Sequence, residues 1–259
     1  TDSYQIENMR ESYEIMFSSL EKIGVLRGSL QSAWWFHTAS TNSITEDLIT
    51  IRDDASDKLG DSGIGCNVTQ VIDNFGEDNS TFRLIKGTIV TPHYLKTVTP
   101  LPPTEMKRNS DGAPQFTFYT EVTFTLLIPQ SAAISNTPAP LVVLGHGFMG
   151  DGEGIVAGLR EWSNQFGYST IATDFKGWSS DGDYDAITFG LLNINYLQHQ
   201  SERLQQSVVN HLAMIKTIKG VCSDLEEFYH NNINLVDSSG ALNYLGIPSR
   251  ALRGPSTLS

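Results

Sequence analysis

At 259 residues with a formal net charge of −12, the chain is long enough for one large buried core and too acidic to favour phosphate backbones or anionic lipid surfaces. Hydrophobic content of 39% against 18% charged residues is that of a globular chain and excludes wholesale disorder. No run of about 18 apolar residues is present to span a membrane, no segment reads as a signal peptide, and Cys66 and Cys222 stand in no metal-ligand spacing, which leaves one disulfide or two thiols open.

Ile6, Met9, Tyr13, Met16, Leu20 and Ile23 recur at helical spacing, so the chain is expected to open with a long amphipathic helix ending near Gly24 or Gly28. Trp34-Trp35-Phe36 is a dense aromatic cluster, read as core in preference to a ligand platform. Ser43 and Glu46 have capping-box spacing, and Ile44, Leu48, Ile51 and Ala55 continue a second helix, with Asp53 and Asp54 facing solvent. The Gly-, Asn- and Asp-rich stretch 60–81 reads as a surface excursion before a strand over 82–90. Pro100, Pro102 and Pro103 mark an exposed connection. Beyond it Phe118, Val122, Phe124, Leu126 and Ile128 alternate with Thr117, Glu121, Thr123 and Thr125, as in a strand with one covered face.

After a loop over 131–140, Leu141-Val142-Val143-Leu144 is apolar without alternation, the pattern of a strand covered on both sides. Ile155, Leu159, Trp162 and Phe166 then give a helix capped by Gly167, 168–173 a strand, and Leu204, Val208, Leu212, Ile215 and Ile218 a long helix closed by Gly220. Ala241 to Leu245 is a further short strand. Alternating strands and helices imply an α/β fold with a doubly wound, mostly parallel sheet, whose sites gather at the carboxyl ends of strands. Residues 1–80 are expected to form a helical region packing on a core built from 81–259.

Gly145-His146-Gly147-Phe148-Met149-Gly150 lies at such a strand end. Glycines there allow a sharp turn whose amide N–H groups converge on one spot, as a loop stabilising a developing alkoxide must. An ordinary strand-to-helix turn is the plainer account. The second corner of interest follows the strand at 241–245, at Gly246-Ile247-Pro248-Ser249-Arg250.

The chain resembles the secreted lipase-like α/β hydrolases of bacteria, some of which are cell-surface lipases with an extra N-terminal domain. The likeness runs through Ala33-Trp34-Trp35-Phe36-His37-Thr38, Ile51-Arg52-Asp53, Gly87-Thr88-Ile89-Val90 and Gly145 to Gly150. It continues at Ala172-Thr173-Asp174-Phe175-Lys176-Gly177, Arg203-Leu204-Gln205-Gln206-Ser207 and Tyr244-Leu245-Gly246-Ile247. What the resemblance implies is a serine hydrolase of carboxylic esters, without metal or organic cofactor, acting outside the cytoplasm on a small-molecule or lipid ester. Gly147, Phe148 or Met149 would offer an oxyanion amide, and His146 would shape the loop.

The pattern departs at the nucleophile. Pro248 occupies the family's nucleophile column, its ring fixes φ near −65°, and Arg250 stands where glycine is usual. Ser249 serves only if the register slips by one residue; a decayed relative and an altered reading frame are the other accounts. The fold orders its triad Ser, Asp or Glu, then His, yet His37, His93, His146, His199, His211 and His230 all precede Ser249. The start at Thr1 and the end soon after the nucleophile corner read as a piece of a longer protein. On these grounds the given chain is expected to be inactive, with a noncatalytic binding or scaffold module as the alternative. Asp181, Asp183 and Asp185 lack the remainder of a calcium loop and read as a solvated acidic loop. Asp174 either positions substrate or caps a turn.

Overall fold

The structure, a computed structural model, describes residues 3–246 apart from 37, 77, 100–103 and 181–183. It divides into two compact units, 1–45 and 46–259. Unit one holds α1 (Ser3–Lys22), which ends at Gly24 with φ +87, and a 3-10 turn at Arg27–Ser29. The Arg27 guanidinium lies 4.2 Å over the Phe17 ring and pairs with Glu14 at 3.1 Å. Trp34, Trp35 and Phe36 are exposed at 71%, 44% and 75%, against the expectation of core. One helix and its returning segment offer too little apolar surface to enclose three large rings, and no described residue of this unit is buried.

Helix α2 (Thr41–Leu59) starts earlier than its sequence suggested: Ser40 Oγ accepts the Ser43 N–H at 3.1 Å, so the cap is Ser40 and not Ser43. Its Ile51 and Ala55 are fully buried. Asp53 faces solvent beside Arg52, while Asp54 binds Lys58 and accepts the Tyr94 hydroxyl at 2.6 Å.

In the second unit β1 (Cys66–Asp73), β2 (Thr81–His93) and β3 (Phe118–Pro129) form an antiparallel meander. The short helix α3 (Gln130–Ser135) replaces part of the expected loop and leads to β4 (Ala139–Gly145). Two short helices, α4 (Gly152–Gly158) and α5 (Arg160–Phe166), broken at Leu159, stand where one was expected, with Gly167 at φ +70 as the cap. Next come β5 (Ser169–Ala172), α6 (Tyr184–Leu192) and α7 (Leu197–Lys219). The two-residue strands β6 (Tyr229–His230), β7 (Ile233–Asn234) and β8 (Val236–Asp237) precede β9 (Asn243–Gly246).

The main sheet runs β1-β2-β3-β5-β4, with β8 against the start of β4 and β9 against its end. Pairing is antiparallel as far as β3–β5 and parallel through β5, β4 and β9. This is a mixed sheet covered by helices on both faces, parallel where the strand-end corners lie. Strand periodicity sorts the core onto its two faces. Ile85, Ile89, Leu126, Leu141, Val143 and Ile171 meet Ala213, Met214 and Ile218 of α7 on one side. On the other, Leu84, Leu127, Val142, Leu144 and Ala172 meet Ile155 and Val156 of α4. Alternation in β3 therefore stops at Phe124, beyond which both faces are buried.

Cys66 and Cys222 form a disulfide that ties the start of β1 to the chain just after α7. Helix α7 also buries a polar face that its apolar pattern did not suggest, while Val208 is 44% exposed. Gln206 accepts the Tyr94 N–H at 2.8 Å and donates to Pro92 O at 3.0 Å, and Glu202 accepts the Met106 N–H at 2.7 Å and Arg108 at 2.8 Å. No helix among the described residues is long and apolar enough to cross a membrane.

Candidate functional site

Strands β4 and β9 run parallel and in register, Val142 opposite Asn243, Val143 opposite Tyr244, Leu144 opposite Leu245 and Gly145 opposite Gly246. Both strands thus end level with each other at their carboxyl ends, and the two corners singled out in the sequence are neighbours. Between them lies a cleft of about 400 Å³ lined by Gly145, His146, Gly147, Phe175, Trp178, Leu204, Tyr244 and Gly246. A Cβ on Gly145 would stand 1.7 Å from the Tyr244 hydroxyl oxygen. Close approach of that ring, and not a left-handed backbone, makes glycine the fitting residue at 145.

Left-handed backbone occurs further along the loop, at Met149, with φ +59. The Met149 N–H donates to Trp178 O at 2.8 Å, and the Gly150 N–H donates back to Gly147 O at 3.0 Å. Met149 is therefore no oxyanion donor in this arrangement, because its amide already has an acceptor. The Gly147 N–H donates to no acceptor among the described residues, and Gly147 lines the cleft. Phe148 turns its ring edge-on to Trp178, centroids 4.7 Å apart.

His146 is buried, and both ring nitrogens hold backbone. Nε2 accepts the Phe175 N–H at 2.8 Å, and Nδ1 lies 2.8 Å from Gly147 O. An amide N–H can only donate, so Nε2 is the acceptor and the ring proton sits on Nδ1, directed at the Gly147 carbonyl. With its lone pair engaged, the imidazole braces the loop after β4 against the loop after β5. The ring edge also contacts Phe175, which stacks on His211 at 4.5 Å.

Carboxylates fix the far side of the same loop. Asp151 caps α4 by accepting the Gly154 N–H at 2.6 Å, and Asp174 accepts the Gly152 N–H at 2.7 Å. Of the two roles left open for Asp174, turn bracing is the one its geometry displays. Burial pushes the His211 and His93 imidazoles down to about 4, with His146 adding to the effect at His211 and Lys176 and Arg203 at His93. Burial together with Arg203 likewise lowers Lys176 to about 8.

Ser249, Pro248 and Arg250 lie outside the described residues, as do His37, Asp181 and Asp183. Among the described residues no group of three His, Cys, Asp or Glu side chains could hold a metal ion. Sequence reasoning missed Trp178, Tyr244 and Phe175 as site-forming residues. Their contacts to the loop are long-range, and Phe175 and Tyr244 had figured only as positions of the family likeness.

No protein-family model and no curated protein matches the chain. Two solved structures do. One is a Bacteroides fragilis NCTC 9343 protein provisionally described as an acetyl xylan esterase, with TM-score 0.42 and 14% identity over 92% of this chain and 54% of that one. The other is an acetyl xylan esterase from Paenibacillus sp. R4, with TM-score 0.40 and 16% identity over 82% and 54%. The chain thus spans about half the length of the solved structures it matches, and likeness at this level does not bear on what it does.

Proposed function

We propose that the cleft between the β4 and β9 corners is the oxyanion side of a carboxylic ester hydrolase. The observation that carries this reading is the in-register parallel pair that sets Gly145 beside Gly246, with Gly147 in the lining of the cleft. Ser249, three residues beyond Gly246, is the proposed nucleophile, displaced by one position from the column that Pro248 fills. In the whole protein its hydroxyl oxygen would attack the ester carbonyl as its proton passes through a base to the departing alcohol, the Gly147 N–H would receive the developing oxyanion, and water would release the acid from the acyl-serine; every histidine of the given sequence precedes Ser249, so the chain as given is expected to be inactive. His146 acts as a positioning residue. This chemistry needs no metal or organic cofactor. The Cys66–Cys222 disulfide favours an oxidising compartment, in keeping with a secreted, periplasmic or cell-surface protein.

The exposed Trp34, Trp35 and Phe36 favour a second reading, a noncatalytic binding module that uses those rings. Treatment of the folded chain with a fluorophosphonate, followed by peptide mass mapping, separates the two. A stoichiometric adduct on Ser249 supports the hydrolase. A folded, full-length version that takes no label rejects it and leaves the binding role.

A further inference from the structure

On the face of the sheet that α4 covers, the apolar row stops partway along β2 and β3. Leu84 and Leu127 pack in the cluster with Ile155 and Val156 of α4, and the next positions of the same parity are Lys86 and Thr88 on β2, Thr125 and Thr123 on β3. Register sets Lys86 opposite Thr125 and Thr88 opposite Thr123, so the four pave one patch. The patch floors a groove of about 290 Å³, whose side is the start of α4 with Asp151 and Glu153 and whose end is Thr173 and Asp174 of the loop after β5. Lys86 Nζ crosses from floor to side and meets Glu153 Oε1 at 2.5 Å. None of the described residues lines both this groove and the strand-end cleft.

Hydrogen-bonding capacity in the groove is unevenly used. Each carboxylate already holds a donor: Glu153 the Lys86 ammonium, Asp151 the Gly154 N–H and Asp174 the Gly152 N–H. Thr173 Oγ1 donates to Thr123 O at 2.7 Å and Thr69 Oγ1 to Lys86 O at 3.2 Å. The hydroxyls of Thr88, Thr123 and Thr125 bond to no group among the described residues. Thr125 is only 6% exposed, and its hydroxyl is not among the sealed polar atoms, so what opening it has is into the groove. A hydroxyl so far from bulk water is costly to leave without a partner, and whatever fills the groove can supply one. We propose that the groove binds a small neutral polyol whose adjacent hydroxyls pair with Thr88, Thr123 and Thr125. Alcohol groups donate and accept, as threonine hydroxyls do, so each pair can form in either sense. Three carboxylates against one ammonium in the lining disfavour a phosphate or carboxylate ligand, and an added ammonium must compete with Lys86 for Glu153. At ~30 Å³ for a water-sized group, the space takes roughly ten non-hydrogen atoms, about one hydroxylated six-membered ring. The site stands whether or not the strand-end cleft hydrolyses esters.

Titration of the full chain with myo-inositol, followed by the threonine methyl resonances of methyl-labelled protein, tests the proposal. Saturable binding in the millimolar range is expected, with shifts at Thr88, Thr123 and Thr125 and at the bordering Thr69 and Thr173. Thr125→Val keeps the branched shape and removes the hydroxyl, and it should weaken binding about tenfold. Thr123→Val, at an exposed position, should weaken it about threefold, and it decides the matter should Thr125→Val fail to fold. Thr120→Val, on the opposite face of β3, should leave binding unchanged. Cyclohexanol, with one hydroxyl on the same ring, and an inositol monophosphate should each bind at least about tenfold more weakly than myo-inositol. No binding at millimolar concentrations, shifts away from the groove, or affinity that neither Thr125→Val nor Thr123→Val alters overturns the proposal. Tighter binding of the monophosphate, of cyclohexanol or of a linear diamine overturns it too, by showing that Lys86, apolar contact or the carboxylates define what the groove takes.

Discussion

Replacement of His146 by alanine separates a structural imidazole from a catalytic one. The ring accepts the Phe175 N–H and donates to Gly147 O, each at 2.8 Å. Its loss leaves the Phe175 amide without that acceptor, which costs about 1–2 kcal/mol for a partly buried N–H. Gly147 O keeps the Gly150 N–H, so the second bond is worth only about 0.5–1 kcal/mol. Lost edge contact with Phe175 adds about 1 kcal/mol. The sum is about 3 kcal/mol, and with a urea m-value of about 3 kcal/mol/M the unfolding midpoint falls by about 1 M. His146→Gln sets a carboxamide oxygen near the position of Nε2 and should recover about 1 kcal/mol. Urea titration followed by far-UV circular dichroism, together with the rate of fluorophosphonate labelling, reads both consequences. A brace leaves the labelling rate of the glutamine variant within about tenfold, whereas a general base costs about a hundredfold or more. An alanine variant that loses under about 1 kcal/mol of stability, or a stable glutamine variant that no longer labels, refutes the bracing role.

Acid should destabilise the protein before its carboxylates titrate. His93 and His211 are lowered to about 4 in the folded state from 6.5, so the unfolded chain binds more protons between those values, and stability is full above pH 6.5 and falls toward pH 4. Each histidine contributes on the order of 3 kcal/mol, and His211→Phe should flatten the unfolding free energy measured against pH over that window. A curve that stays level in the wild type would mean that both rings are accessible to water. Reduction of Cys66–Cys222, or paired serine substitutions, should cost about 2–4 kcal/mol in chemical denaturation, because the bridge closes a loop with a sequence separation of 156 residues. An unchanged midpoint argues against the bond. Glu202→Ala removes a carboxylate only 5% exposed and strands the Met106 N–H, while Arg108 keeps Asp47. Thermal unfolding should report a loss of about 3 kcal/mol, and Glu202→Gln should lose less, since an amide oxygen can still accept from Met106.

The sequence disclosed the strand-end corners because their signal is local. Leu141 to Leu144 is apolar on both faces, glycines follow it, and a second short apolar run precedes Gly246. Their adjacency was an inference from α/β alternation, and the β4–β9 register agrees with it. Strand β1 was hidden, because its run Cys66 to Asp73 lies between Gly- and Asn-rich stretches and carries a bulge between Val68 and Gln70 that breaks the alternation. The aromatic cluster at 34–36 misled, since periodicity and composition report apolar character and not whether enough partners exist to cover it. Helix α7 was placed correctly, but its buried Glu202 and Gln206 satisfy the 92–106 segment through contacts about a hundred residues away in sequence, which no local pattern encodes. Met149 was misassigned for a similar reason: its acceptor, Trp178 O, belongs to the loop after another strand.

A crystal structure of the full-length protein after reaction with diethyl p-nitrophenyl phosphate decides whether the β4 and β9 corners together make an ester-hydrolysing site. The expected result is phosphorus on Ser249 Oγ inside the cleft between Gly145 and Gly246, with a phosphoryl oxygen about 3 Å from the Gly147 N–H. Phosphorus on another residue, or Gly145 and Gly246 on strands that do not pair, would contradict it.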